Sequence, residues 1–291
     1  MELNFLGRGA MLYPSEGNTA AYFEEGNNLF LFDCGEDVAA KLIKSGKLTK
    51  DTEVYLFVTH THSDHIGSLG SLQQYLYWVC GKKLNIVCDY NLEYMKDIKG
   101  ISRCFGLEPD TYRFIQERDL DGKFESFDQI RYMKSSHGDI PISSASIIIR
   151  TKNGNILYSG DIADSKIIKY FIQVSDGFID KMYIDTSYTD SPVHLSIHKL
   201  NEVIPPELKS KVYCMHINNK DILPIIEEYG FNLVGLNGRD LLTRDIDTMT
   251  AEELRLLGEM LESKLKEVRE RQEDNMKLIK NWWLISFFIV E

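Results

Sequence analysis

Short apolar runs that alternate with helical stretches predict a layered domain of strands and helices, followed by a helical extension. Three observations carry that expectation. Hydrophobic residues make up 43% of the 291-residue chain, enough to bury a real core. Strand-like runs repeatedly deliver a His or Asp at their carboxyl ends. Toward the carboxyl terminus the texture changes to Glu, Lys, Arg and Leu. The boundary is expected near residue 243, giving a domain over 1–243 and an extension over 244–291.

In order along the chain, MELNFLGRG and NNLFLFDCG read as short strands closed by glycine, with the turn-rich YPSEGN between them. DVAAKLIKSG reads as a helix capped by Gly46. EVYLFVTH is a β-rich run that ends in a histidine cluster, and SLGSLQQYLYWVCG after it is helix-like. The run in KFESFDQIRYMKSSHGD ends at His137. ASIIIRTKNGNILYSGD reads as a hairpin turning at Asn153-Gly154, with its second strand leading to Asp161. KMYIDTSY ends near Asp185 and KVYCMH at His216. Strands with helices between them form α/β layers, and these strand ends can converge on one edge.

In the extension, Leu254, Leu257, Leu261, Leu265 and Val268 recur at spacings of three and four, and Thr250 with Glu253 fits a capping box. A long amphipathic helix is expected, packed on the domain or on a second subunit. The last stretch, WWLISFFIV, would span roughly 14 Å as a helix. A bilayer core is about 30 Å thick, so it reads as an apolar tail and no membrane span is expected.

The formal net charge of −11 repels polyanions at long range, so no stable nucleic-acid partner is expected. A bound cation could still override that field locally for a small phosphorylated substrate. Five cysteines, odd in number and without a CxxC pair, read as reduced thiols of a cytoplasmic protein. The opening residues show no secretory signal pattern.

The chemistry concentrates in VTHTHSDH. His60 and His62, one residue apart, can face one divalent ion, while Asp64 and His65 are displaced enough to face a second. Two cations about 3.5–4 Å apart grip both the attacking and the leaving oxygen of a displacement. The site needs at least one further His for each metal and a carboxylate between them. His137, Asp161 and His216 offer these, each at the end of a strand-like run.

These residues resemble the metallo-β-lactamase fold superfamily. The likeness rests on His60, His62, Asp64 and His65, then His137, Ser159-Gly160-Asp161 and His216, in that order, and spans residues 1 to about 240. It implies an α+β fold, a four-layer αββα sandwich with a metal cleft along one edge of the sheets. It also implies that His60, His62 and His137 hold one metal and Asp64, His65 and His216 the other, with Asp161 bridging. Zinc is the expected cation of both positions, with manganese as the alternative, and a hydroxide made acidic by the cations is the implied nucleophile.

Asp185-Thr186-Ser187-Tyr188 and His194-Leu195-Ser196 resemble two motifs of the ribonuclease Z branch, as does the opening FLGRGAMLYPSEGNTAAYF. His194 is then the expected proton donor to the leaving alkoxide, oriented by Asp185. Asp64 counts with them as catalytic, and Ser196 is a candidate contact to a phosphate oxygen. His198, one turn further on, reads as a packing residue. Bacterial ribonuclease Z carries a tRNA-gripping arm between the third ligand histidine and the bridging aspartate. Here only 23 residues separate His137 from Asp161, and no arm fits. With the acidic charge, this points to a small phosphodiester. Members of the branch without the arm include cyclic-nucleotide phosphodiesterases, among them the anti-Pycsar enzymes, and some form dimers. The expectation is therefore a dinuclear-metal phosphodiesterase acting on 3′,5′-cyclic nucleotides, as a homodimer. The alternatives are a ribonuclease Z-like RNA or DNA nuclease and another hydrolase of the same fold.

Overall fold

The computed structural model describes residues 1–89, 95–107, 109–138, 142–236, 251–252, 254–263 and 266. The chain divides into two compact units, Met1–Asn237 and Gly238–Glu291. The first contains two six-stranded sheets of matching design. One runs in order through β1 (Asn4–Gly7), β2 (Ala20–Glu25), β3 (Asn28–Phe32), β4 (Glu53–Phe57), β5 (Leu84–Cys88) and β6 (Tyr112–Gln116). The other takes β7 (Gln129–Ser135), β8 (Ser144–Thr151), β9 (Gly154–Tyr158), β10 (Ile179–Asp185), β11 (Val212–Met215) and β12 (Asn232–Leu233). In each sheet the first three strands are antiparallel and the last four parallel.

Sequence explains the contrast within each sheet. Parallel central strands are covered on both faces and read as unbroken apolar runs. Leu29, Phe30, Leu31 and Phe32 on β3 all have 0% exposure. Each such side chain contributes about 1.5–3 kcal/mol on burial. The β8–β9 hairpin forms as its Asn-Gly signal predicts, with Lys152 and Asn153 as the two loop residues and Gly154 already paired with Thr151. A Cβ at Gly154 would lie 2.9 Å from the Asp180 nitrogen, so the position has no room for another residue.

Helices cover the sheets. Among them are α1 (Val38–Ser45), closed by Gly46 in the left-handed conformation, α2 (Ser63–Ile66), α3 (Leu69–Tyr75) and α4 (Met95–Cys104). α5 (Lys166–Ser175), α6 (Ile197–Val203) and α7 (Leu223–Glu228) pack on the second sheet, where Ile168, Phe171, Leu200 and Ile226 join Leu157, Met182 and Val212 in one core. Between the sheets, Phe32 stacks on Phe57 and tilts against Tyr158. The Tyr132 hydroxyl, from β7, accepts from the Val58 nitrogen (3.1 Å) and donates to the Val87 carbonyl (3.0 Å), pinning the two sheets together. This is the α+β sandwich that the sequence predicts.

In the second unit, residues 251–252, 254–263 and 266 are helical, and Arg255 pairs with Glu252 and Glu259 on one face. Thr250, Glu253, Leu265, Val268 and the apolar tail lie outside the described residues. No helix among the described residues is long and apolar enough to cross a membrane. All five cysteines are free thiols, and four of them are buried.

Candidate metal centre

Parallel strands place their carboxyl ends on one edge, and that edge gathers the seven candidate ligands together with Asp185 and His194. β4 ends at Phe57 and carries the chain through Thr59 and His60 into α2, which His62 caps in an extended conformation. One turn of helix then presents Asp64 and His65 on the buried side. From the second sheet, His137 lies two residues past β7, Asp161 three past β9, Asp185 at the last position of β10 and His216 just past β11. Close approach of the halves requires Gly160, where a Cβ would lie 2.8 Å from the Thr59 side chain. Asp33 and His216 adopt left-handed backbone, φ 63° and 56°, a strain that non-glycine residues carry at functional sites.

The ligand atoms of His60, His62, His137 and Asp161 lie within 4.8 Å of one another, and so do those of Asp64, His65, Asp161 and His216. Asp161 belongs to both sets and divides its oxygens between them. Its Oδ2 is 3.7 Å from both His60 Nε2 and His137 Nε2. Its Oδ1 is 3.2 Å from His65 Nε2 and 3.4 Å from His216 Nε2. A third set joins Asp161, Asp185, His194 and His216 within the same distance.

Hydrogen bonds behind the histidines fix which nitrogen faces inward. The Val193 carbonyl can only accept, so His137 donates through Nδ1 (2.9 Å) and turns the Nε2 lone pair to the centre. Asp33 accepts from His65 Nδ1 (2.9 Å) and leaves His65 Nε2 facing the carboxylates. Thr59 Oγ1 donates to Asp33 (2.9 Å), so it accepts from His60 Nδ1 (3.1 Å). Histidines held from behind in this way have the arrangement of metal ligands. Asp64 Oδ1, Asp161 Oδ1, Asp185 Oδ1, His65 Nε2 and His216 Nδ1 are buried and lack a well-directed hydrogen bond. Ring nitrogens and carboxylate oxygens crowd together there, as at His60 Nε2 and His62 Nδ1, 3.0 Å apart. Divalent cations satisfy such a donor set, and its chemistry of imidazole with carboxylate suits zinc or manganese.

Electrostatics divide the site. Burial, reinforced by neighbouring histidines, holds His60 well below the ordinary imidazole range, and burial lowers His62 and His137. These three are neutral, as ligands must be. Burial also disfavours a charged His65 and His216, but Asp161 with Asp33 and Asp64 pulls His65 well above the usual range. Asp161 and Asp185 help to push His216 up to about 10. Burial opposes ionisation of Asp64 and Asp161, yet adjacent histidines hold both below the usual carboxylate range. The carboxylates thus remain anionic.

His194, with a side chain 21% exposed, places Nδ1 2.9 Å from Asp185 Oδ2. Asp185 also accepts from the Ile162 nitrogen (3.0 Å) and lies 3.4 Å from His216 Nδ1. Burial opposes protonation of His194, but Asp185 outweighs it and raises its pKa. Ser196 is fully buried, donates to Asp190 Oδ1 (2.6 Å) and caps α6, which removes it as a contact for a phosphate oxygen. His198 bonds Tyr229 (2.8 Å) away from the ligand sets. Sequence reading missed Asp33, Thr59 and the Val193 carbonyl. Asp33 had a visible signal, since FLFDCG ends an apolar run on Asp as the ligand-bearing strands do.

Comparison with known proteins agrees with this geometry. The family described as "Anti-Pycsar protein Apyc1" matches residues 1–234. The chain is 27% identical over 233 residues to the anti-Pycsar protein Apyc1 of Bacillus phage 010DV004, covering 74% of this chain and 88% of that one. It is 28% identical over 230 residues to a ribonuclease Z of Listeria monocytogenes serovar 1/2a (strain ATCC BAA-679 / EGD-e), covering 68% and 73%. Among solved structures, the metallo-β-lactamase fold protein YhfI of Bacillus subtilis superposes with a TM-score of 0.62 at 16% identity, covering 80% of this chain and 95% of that one. The short form of human tRNase Z does so at 0.57 and 17%, covering 81% and 96%. The chain belongs to the Apyc1 anti-Pycsar family, in the ribonuclease Z-like branch of the metallo-β-lactamase-fold hydrolases.

Proposed function

We propose that this protein is a two-metal phosphodiesterase that opens small cyclic nucleotides. The observation that carries the reading is the placement of His194, bonded to Asp185 at 2.9 Å and beside a centre with two overlapping ligand sets. In the proposed site His60, His62 and His137 would hold one cation and Asp64, His65 and His216 the other, with Asp161 available to both. Bound divalent cations supply a hydroxide nucleophile at neutral pH and neutralise charge on the phosphoryl oxygens. Zinc is the proposed cation, with manganese as the alternative.

The chain's own residues supply the rest. Asp33, Thr59 and Val193 hold the histidine tautomers that keep lone pairs directed inward. Asp185 accepts the Nδ1 proton of His194, which leaves Nε2 to protonate the departing ribose oxygen. A carboxylate partner favours the protonated imidazole, the form that a general acid needs. The short β8–β9 hairpin takes up the interval in which ribonuclease Z of the bacterial type carries its tRNA arm. That supports a small diester over tRNA, as does the relative named anti-Pycsar protein Apyc1.

The test is hydrolysis of a panel of 3′,5′-cyclic nucleotides beside bis-p-nitrophenyl phosphate and a precursor tRNA, with Zn²⁺ or Mn²⁺ added. Opening of one or more cyclic nucleotides with the tRNA left intact is the expected result. Cleavage of tRNA without cyclic-nucleotide turnover would assign the protein to the nuclease reading, in keeping with its relatives named ribonuclease Z.

A further inference from the structure

One basic surface has no role in the metal centre. Lys96, Lys99 and Arg103 recur on α4 at helical spacing and, with Gly100, Leu107 and Tyr112, line a groove of about 620 Å³. The other side of α4 is anchored, since Ile98 and Ser102 are fully buried and Ser102 Oγ accepts from Gln73 Nε2 (3.0 Å). The three cations are exposed.

Two features of this groove work against helix stability. Lys99 and Arg103 are like charges one turn apart, which repel each other. Gly100 lies within the helix, where glycine is unfavourable, although a Cβ there would meet nothing within 4 Å, so packing does not require glycine. Its missing side chain keeps the groove open. No ion pair neutralises Lys96, Lys99 or Arg103 among the described residues, in a chain with 44 acidic and 33 basic residues. Cations nearby are treated otherwise, since Lys82 and Arg113 pair with Glu53 and Lys83 with Asp110. Lys99 lies over the Phe114 ring at 5.2 Å, and Tyr112 stands edge-on to the same ring at 5.4 Å, which gives the groove an aromatic wall.

We propose that this groove is a second nucleotide site, one that binds a nucleoside di- or triphosphate without cleaving it. The seven helical rises from Lys96 to Arg103 spread the cations over roughly 10 Å, which suits a row of phosphates better than a single one. Arg103 matches a phosphate through two parallel N–H donors, and Tyr112, which lines the same groove, offers a face for the base. None of these residues belongs to the ligand sets of the metal centre.

The test is equilibrium binding of β,γ-imido-ATP, and of inorganic triphosphate, to the full-length holoenzyme. Imido-ATP is expected to bind at least tenfold more weakly to K96Q/K99Q/R103Q, with the unfolding midpoint and the diesterase activity unchanged. Y112A is expected to weaken imido-ATP several-fold and to leave triphosphate unaffected. Equal binding of imido-ATP to wild type and the triple variant, or none at 1 mM, overturns the site. Triphosphate that binds as tightly as imido-ATP, with no effect of Y112A, overturns the nucleotide assignment. The milder variant K99Q, expected to weaken binding at least threefold, decides the matter if the triple variant misfolds.

Discussion

The two sheets share one strand plan but build their parts of the metal centre differently. The first concentrates its ligands in a single stretch, with His60, His62, Asp64 and His65 all within the eight residues that follow β4. The second spreads its residues over four strand ends, and His137 and His216 are 79 positions apart in sequence. The difference teaches where each kind of information resides. A loop motif is local, whereas a set of strand ends becomes a site only when parallel pairing brings it to one edge.

The largest expected effect comes from the residue common to both ligand sets. Asp161→Ala should abolish turnover and lower the content of both cations, as read by elemental analysis of the purified protein. His194→Ala should lower kcat by about 10²–10⁴-fold, the usual contribution of a general acid, while metal content stays at the wild-type value. The same residue gives a pH signature. Asp185 raises the His194 pKa, so Asp185→Asn should move the alkaline limb of the kcat profile to lower pH. A metal loss in His194→Ala would make it a ligand instead, as the third cluster of carboxylates and histidines allows.

A smaller effect should follow from the residue behind the site. Asp33→Asn weakens the hold on His65 Nδ1 and Thr59, and metal affinity should fall about 10–100-fold, the usual cost of losing such a partner. Competition with a fluorescent chelator measures it. The smallest effect lies outside the centre, at Glu117. Burial raises its pKa from 4.5 to about 7, although its carboxylate accepts from the Tyr132 nitrogen (2.6 Å). A raised carboxyl pKa means that the fold prefers the protonated form. That stability is complete below pH 4.5 and is lost as pH rises through about 7. Glu117→Gln should therefore flatten the decline of Tm between pH 5 and 8, a change of no more than about 3 kcal/mol.

The first sheet's loop was legible residue by residue because four candidate donors stand within six consecutive positions. His137, Asp161 and His216 were legible as a pattern, since each ends an apolar run. Their convergence needed the parallel pairing of β9, β10 and β11. The residues that hold the ligands were less visible. Thr59 is an ordinary strand-end residue until its hydroxyl is seen between Asp33 and His60, and a carbonyl such as that of Val193 leaves no mark in sequence. Ser196 shows the converse. Its place in a resembling motif suggested phosphate contact, but the start of α6 claims its hydroxyl as a cap.

The most direct measurement is the number of cations bound per chain, by titration of metal-stripped protein with Zn²⁺, for wild type, His137→Ala and His216→Ala. Two overlapping ligand sets predict two cations in the wild type, with each variant keeping one tight site and losing the other. A single cation in the wild type, or loss of the same cation in both variants, would contradict a centre built jointly by the two sheets.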